Sequence, residues 1–139
     1  MRLAAILIVA AQIAALAACK PAAPSLDPAA DPIARAFFEE VRRGDNLDAD
    51  PHLAHELKNP TTEAEIAQFR AIIPLEPARL VELKSWDAKT DSAGTTTRLT
   101  DVYHYGDRVL VAQTALFKSP SGVEPVIVGF QVKPSDGTE

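Results

Sequence analysis

The chain predicts an α+β domain, three N-terminal helices packed on one face of a curved four-stranded antiparallel meander. Three observations predict it. Apolar residues recur three and four apart as far as Ile73, which is the period of an amphipathic helix. After Pro77 the sequence changes to runs rich in β-branched and aromatic residues. The turns between those runs are short and carry Gly, Ser and Asp, which makes consecutive strands antiparallel neighbours.

Two segments of another kind precede the domain. Met1-Arg2 gives a positive start, and 3–18 is apolar apart from Gln12, the pattern of a secretory signal. That run falls short of the roughly 20 residues a helix needs to cross a bilayer, and 1–18 is expected to be removed. Leu16-Ala17-Ala18-Cys19 resembles the lipobox of bacterial lipoproteins. The resemblance implies that Cys19 carries a thioether-linked diacylglycerol, becomes the new N-terminus and is often N-acylated, with palmitate as an expected acyl group. Each buried methylene contributes roughly 0.8 kcal/mol, and stable anchoring takes two signals. The alternative is an ordinary cut after Ala15-Leu16-Ala17 that leaves a free thiol. Cys19 is the only cysteine, so no intramolecular disulfide supports the domain. Lys20 follows it, where an Asp retains lipoproteins of enteric bacteria in the inner membrane. The expected place is therefore the outer membrane, with the domain facing the periplasm. Residues 19–32 then read as acylated cysteine and tether. Pro21, Pro24 and Pro28 among Ala, Ser and Asp favour extended backbone, and at about 3.1 Å per residue the tether reaches on the order of 35 Å.

The domain is expected over 33–134, with 135–139 a disordered tail. Asp31-Pro32 marks a helix start and Gly44 a stop, with Ile33, Phe37 and Val41 on one face, widened by Ala34 and Phe38. Glu39 and Arg43 stand four apart on the other face. Asp50-Pro51 repeats the start signal for a short second helix with Leu53 and Leu57 inward, ended by Asn59-Pro60. Thr62 and Glu65 form a capping box for a third helix that carries Ile66, Phe69 and Ile73 on one side and closes at Pro74. Strands are expected over 80–89, 95–105, 108–118 and 123–133. Gly106-Asp107 has Gly first, as a two-residue type II′ hairpin requires. On the last strand Val126, Val128, Phe130 and Val132 alternate and mark the buried face.

The formal charge is −5, and loss of Arg2 makes the mature chain more acidic. A net-acidic domain without a basic run excludes nucleic acid and an anionic membrane surface as expected partners. The glycines show no G-x-G-x-x-G or P-loop spacing, which leaves nucleotide binding unsupported. No cofactor is expected.

Three stretches resemble the small NTF2-like (cystatin-like) domains of bacterial envelope proteins. Ala36-Phe37-Phe38-Glu39-Glu40-Val41-Arg42-Arg43-Gly44-Asp45 resembles their opening helix and its Gly-Asp exit. Thr100 to Val111 resembles their central hairpin, and Val128-Gly129-Phe130-Gln131-Val132 their closing strand. The resemblance covers roughly 33 to 134 and implies a cone-shaped pocket between helices and sheet, with one wall low or open because the second helix is short. It implies isomerase, dehydratase, hydrolase or purely binding activity, because the fold hosts all of these. Self-association through the exposed sheet face is implied as well.

Few residues carry candidate chemistry. Asp101, Tyr103 and Tyr105 alternate on one strand face with Leu99. A carboxyl beside a phenol resembles the ketosteroid-isomerase members of the family, where Asp moves a proton and Tyr donates to the oxyanion. The alternative is cross-strand pairing of the tyrosines, with Asp101 ion-paired to Arg98 or Lys118. His104 falls on the opposite parity from Asp101. Trp86 reads either as a pocket or interface aromatic or as core on a bulged strand. With Tyr103, Tyr105 and Gln113 it makes the candidate ligand contacts. His52, His55 and Glu56 match neither H-E-x-x-H nor H-x-x-E-H, and no metal is expected. The leading expectation is a lipid-anchored, non-catalytic binder of a small apolar ligand or an envelope protein. The alternative is a small pocket enzyme using Asp101 and Tyr103.

Overall fold

A computed structural model of the chain describes residues 23–136. Two α-helices, α1 (Ala30–Arg43) and α2 (Pro60–Ile72), pack on one four-stranded antiparallel sheet of β1 (Leu80–Thr90), β2 (Thr95–His104), β3 (Val109–Lys118) and β4 (Val126–Pro134). The strands lie in chain order, β1-β2-β3-β4. The α+β class and the meander are therefore as the sequence predicts, but the three-helix expectation is not met. The signal segment, Cys19, the first residues of the tether and the last three of the tail lie outside the described residues. Among the described residues no helix is long and apolar enough to cross a membrane.

Where the second helix is expected, two short 3-10 turns (Leu47–Ala49 and His55–Leu57) flank a turn at Pro51-His52 and a single bridge residue, Leu53. Ile127 donates its N–H to His52 O (2.6 Å), and Ala54 donates to Ile127 O (2.9 Å). A backbone that completes the β4 edge cannot also close helical hydrogen bonds, and Asp50 Oδ1 takes the His52 N–H instead (2.8 Å). Leu53 is buried all the same. Asn59-Pro60 opens α2 rather than ending a helix. Asn59 Oδ1 accepts from Thr62 N (2.9 Å), with Pro60 in the first turn, an N-cap in place of the expected capping box.

Packing begins before the predicted start of the domain. Leu26 and Ala29 pack against the core, Asp27 Oδ1 accepts from Ala29 N (2.9 Å), and Lys118 Nζ meets Asp27 Oδ2 (2.9 Å). These two donors hold the Asp27 carboxyl below the usual range, the backbone N–H most. Asp31 is thus in the first turn of α1 rather than at its cap, and is free to pair with Arg35 (3.0 Å). Gly44 closes α1 in the left-handed region, φ 75°, as a C-terminal glycine should. Arg70 of α2 donates from Nε to Val41 O (2.9 Å), a cation on the last carbonyls of α1. Glu39 pairs with Arg42 (2.6 Å) and not with Arg43, which turns to Asp45 (2.9 Å).

Two bulges decide which side chains enter the core. Pairing of β1 with β2 shifts between Leu83 and Ser85, leaving Lys84 extra. Pairing of β3 with β4 shifts at Ala115/Leu116, leaving Val128 extra. Each extra residue reverses the alternation beyond it. The inner face then reads across the strands as Trp86-Leu99-Thr114-Phe130 and Leu83-Asp101-Ala112-Val132. Val126 and Val128 do not share the buried face with Phe130; Ile127 does, fully buried, while Val128 is exposed. Against this face α1 lies over β2 and β3 and α2 over β4. Phe38 stacks on Tyr103 at 3.7 Å between centroids, and Phe37 meets Phe130 edge-on at 5.0 Å.

In the β1–β2 turn, Asp91 Oδ1 accepts from Ala93 N and Gly94 N (2.8 and 3.2 Å). Gly94 has φ 149°, and a Cβ there would stand 2.3 Å from the Lys118 carbonyl oxygen. Gly94→Ala is expected to cost on the order of 2 kcal/mol, read as a lower urea midpoint with an unchanged slope.

Candidate functional site

Alternation along β2 turns Leu99, Asp101 and Tyr103 inward beneath α1, and all three are buried, as is Tyr105 just beyond the strand. His104 faces the other way and holds Glu82 (2.8 Å). Asp101 is only 1% exposed. Its partner comes from the helix rather than the sheet, Arg35 Nη2 at 3.5 Å from Oδ1. Neither Arg98 nor Lys118 fills that role, because Arg98 sits on the outer face and Lys118 is taken by Asp27. At 3.5 Å the contact is an ion pair without a good hydrogen bond, and Oδ1 has no hydrogen-bond partner. Burial pushes the Asp101 carboxyl up to about 7, the Asp31 charge adds to this, and Arg35 opposes it. One guanidinium thus stands between two carboxylates, and a proton is the economical way to balance them.

Tyr103 is buried, and its phenol is raised by that burial first and by the Asp101 charge second. Phe38 lies flat on its ring. The space above the Asp101–Tyr103 pair is therefore filled by the chain's own side chains. Hollows of about 380, 980 and 360 Å³ open on the surface of the described residues, and Asp101 and Tyr103 line none of these three.

The four candidate ligand contacts do not converge. The Lys84 bulge brings Trp86 to the inner face, in one row with Leu99, but at the margin of the helix layer, where it stays 36% exposed. Tyr103 and Tyr105 are inner, whereas Gln113 is on the outer face in a polar row Ser85-Thr100-Gln113-Gln131. That face is an open trough of about 980 Å³ with Val102, Val111 and Lys133 beside the row.

The predicted histidine pair separates. His52 Nε2 meets Glu124 Oε2 (3.0 Å), while His55 is exposed in its 3-10 turn. Among the described residues no three of His, Cys, Asp or Glu form a group able to hold a metal. A second raised carboxyl escapes sequence reasoning. Glu40 is pushed up to about 7, by burial first and then by sharing a proton with Asp50, the charges of Asp50 and Asp45 adding to it. Asp50 itself is buried. Only the fold brings residues 40 and 50 together, and nothing in their spacing announces it. Compared with known proteins, this chain matches no family model, no curated protein and no solved structure.

Proposed function

We propose that the chain is a lipid-anchored envelope lipoprotein whose domain, NTF2-like in its resemblance, serves as a non-catalytic binding or protein-interaction module on the periplasmic side of the outer membrane. The observation that carries the non-catalytic part is that α1 covers both groups, Phe38 stacking on Tyr103 and Arg35 reaching the buried Asp101. A substrate needs a concave space beside its catalytic groups, and here the helix occupies it. The outer sheet face, with Gln113 and its neighbours in an open trough, is the surface such a module offers to an envelope protein or to a second copy of itself. The anchor rests on the sequence Leu16-Ala17-Ala18-Cys19.

The test of the anchor is metabolic labelling with tritiated palmitate followed by fractionation. The chain is expected to be labelled and to sediment with membranes, and Cys19→Ala to be unlabelled and lost from them. An unlabelled wild-type chain in the soluble fraction removes the anchor. A second reading, a ketosteroid-isomerase-like enzyme, draws support from the raised pKa of Asp101. Turnover of a β,γ-unsaturated ketone that vanishes in Asp101→Asn is the result that would put it in place of the binding reading.

A further inference from the structure

We propose that the β2–β3 hairpin end of the domain holds a binding site for a small carboxylate, with Arg79 as its anion-binding group. This rests on the reading of the domain as a binder and names the class of ligand it takes. A hollow of about 380 Å³ is lined there by Glu76, Pro77, Arg79, Tyr105, Gly106 and Asp107, within the size range of small-molecule sites.

Two features mark it as built, and a third closes its wall. First, the sequence predicts Gly106 as the positive-φ residue of a type II′ turn, yet its φ is not positive. A Cβ at Gly106 would lie 2.8 Å from Arg79 Nη2 and 3.0 Å from Cζ. The missing side chain therefore makes room for the guanidinium, the close-approach use of glycine. Second, the Arg79 guanidinium has no ion-pair partner among the described residues, while its backbone is pinned by N–H donation to His104 O (2.8 Å). Third, Tyr105 is nine-tenths buried and its hydroxyl makes no hydrogen bond. Burial pushes that phenol up to about 12, with Glu39 adding and Arg42 opposing. It stays protonated at neutral pH, but its hydroxyl is out of contact with solvent, so Tyr105 supplies wall to the hollow rather than a donor.

The ligand class follows from the charges. A guanidinium fork fits a carboxylate with two parallel hydrogen bonds. Glu76 and Asp107 in the same lining disfavour a dianion such as phosphate and favour a guest that also carries an ammonium or other donors. The shape of that guest is a zwitterion of the amino-acid or short-peptide kind.

The probe is glycylglycine, titrated calorimetrically into the full chain in detergent, with glycylglycinamide as the uncharged-end control. Saturable binding of the acid is expected, weakened at least about tenfold in the amide and in Arg79→Gln, as loss of a charge-assisted pair implies. Gly106→Ala changes no charge and is expected to weaken binding similarly by displacing Arg79, with circular dichroism confirming the fold. Equal affinity for acid and amide, unchanged binding in Arg79→Gln, or no binding of the acid at tens of millimolar would each overturn the site. Palmitate labelling and membrane retention, unaffected by these variants, report separately on the anchored-module reading.

Discussion

Phe38→Ala is expected to cost about 3–5 kcal/mol, the range for deleting a fully buried ring, and to be the most damaging single truncation in the domain. Phe38 is 0% exposed and stacks on Tyr103 with planes 15° apart. It stands mid-way along α1, over the strands that carry Leu99 and Leu110, which are themselves buried. Stacked contact adds roughly 0.5–1.5 kcal/mol beyond area burial, and Phe38→Leu should recover part but not all of the loss. Urea denaturation of the three proteins measures this. The variant also probes function. A phenyl-sized apolar cavity stays dry and accepts benzene, and benzene is therefore expected to raise the melting temperature of Phe38→Ala but not of the wild type. A wild-type domain that responds equally would mean that a cavity beside Tyr103 already exists.

The elements legible in the sequence are those set by local rules. Gly44 ends α1, the switch of period near Pro77 separates helices from sheet, and the β1–β2 and β2–β3 turns fall where the glycines stand. What the sequence misplaces depends on contacts distant in the chain. Residues 50–57 carry helix signals, but Leu53 is held in a bridge to Ile127, more than seventy positions on, and the helix is broken into a turn and a 3-10 turn. Alternation picks out Val128 because it assumes an unbroken strand, and one inserted residue transfers burial to Ile127. For Trp86 the bulge turns the side chain to the inner face, as a bulged strand should, but it stays 36% exposed and outside the buried core. The pairing of Asp101 with Arg35 joins a helix to a strand, a relation that spacing within β2 cannot carry. Gly106 is the reverse case, a glycine placed correctly in a turn but needed for the guanidinium lying on it.

Asp101→Asn is expected to stabilise the domain at pH 8, on the order of a few kcal/mol at most, while changing little at pH 4, because each unit by which burial raises the carboxyl is worth about 1.36 kcal/mol. An acid whose folded pKa lies above its unfolded value binds its proton more tightly when folded. Its contribution is therefore fully present below the unfolded value of 3.8 and declines until about 7, above which no more is lost. Glu40 acts in the same direction, from 4.5 to about 7. Asp27 acts oppositely; its lowered carboxyl stabilises above the unfolded value and loses that effect as pH falls through the folded one. The wild-type domain should thus be most stable in mildly acidic solution and weaken toward neutrality. The amide introduced by Asp101→Asn would mimic the protonated carboxyl, sparing the fold a buried charge whose Oδ1 has no hydrogen bond. Arg35 is one-third exposed and keeps Asp31 and water when Asp101 is neutral, which limits the cost of losing the pair. Urea midpoints of both proteins from pH 4 to pH 8 decide the matter. Parallel curves would mean that Arg35 holds Asp101 ionised throughout, and that the carboxyl is a structural ion pair rather than a proton store.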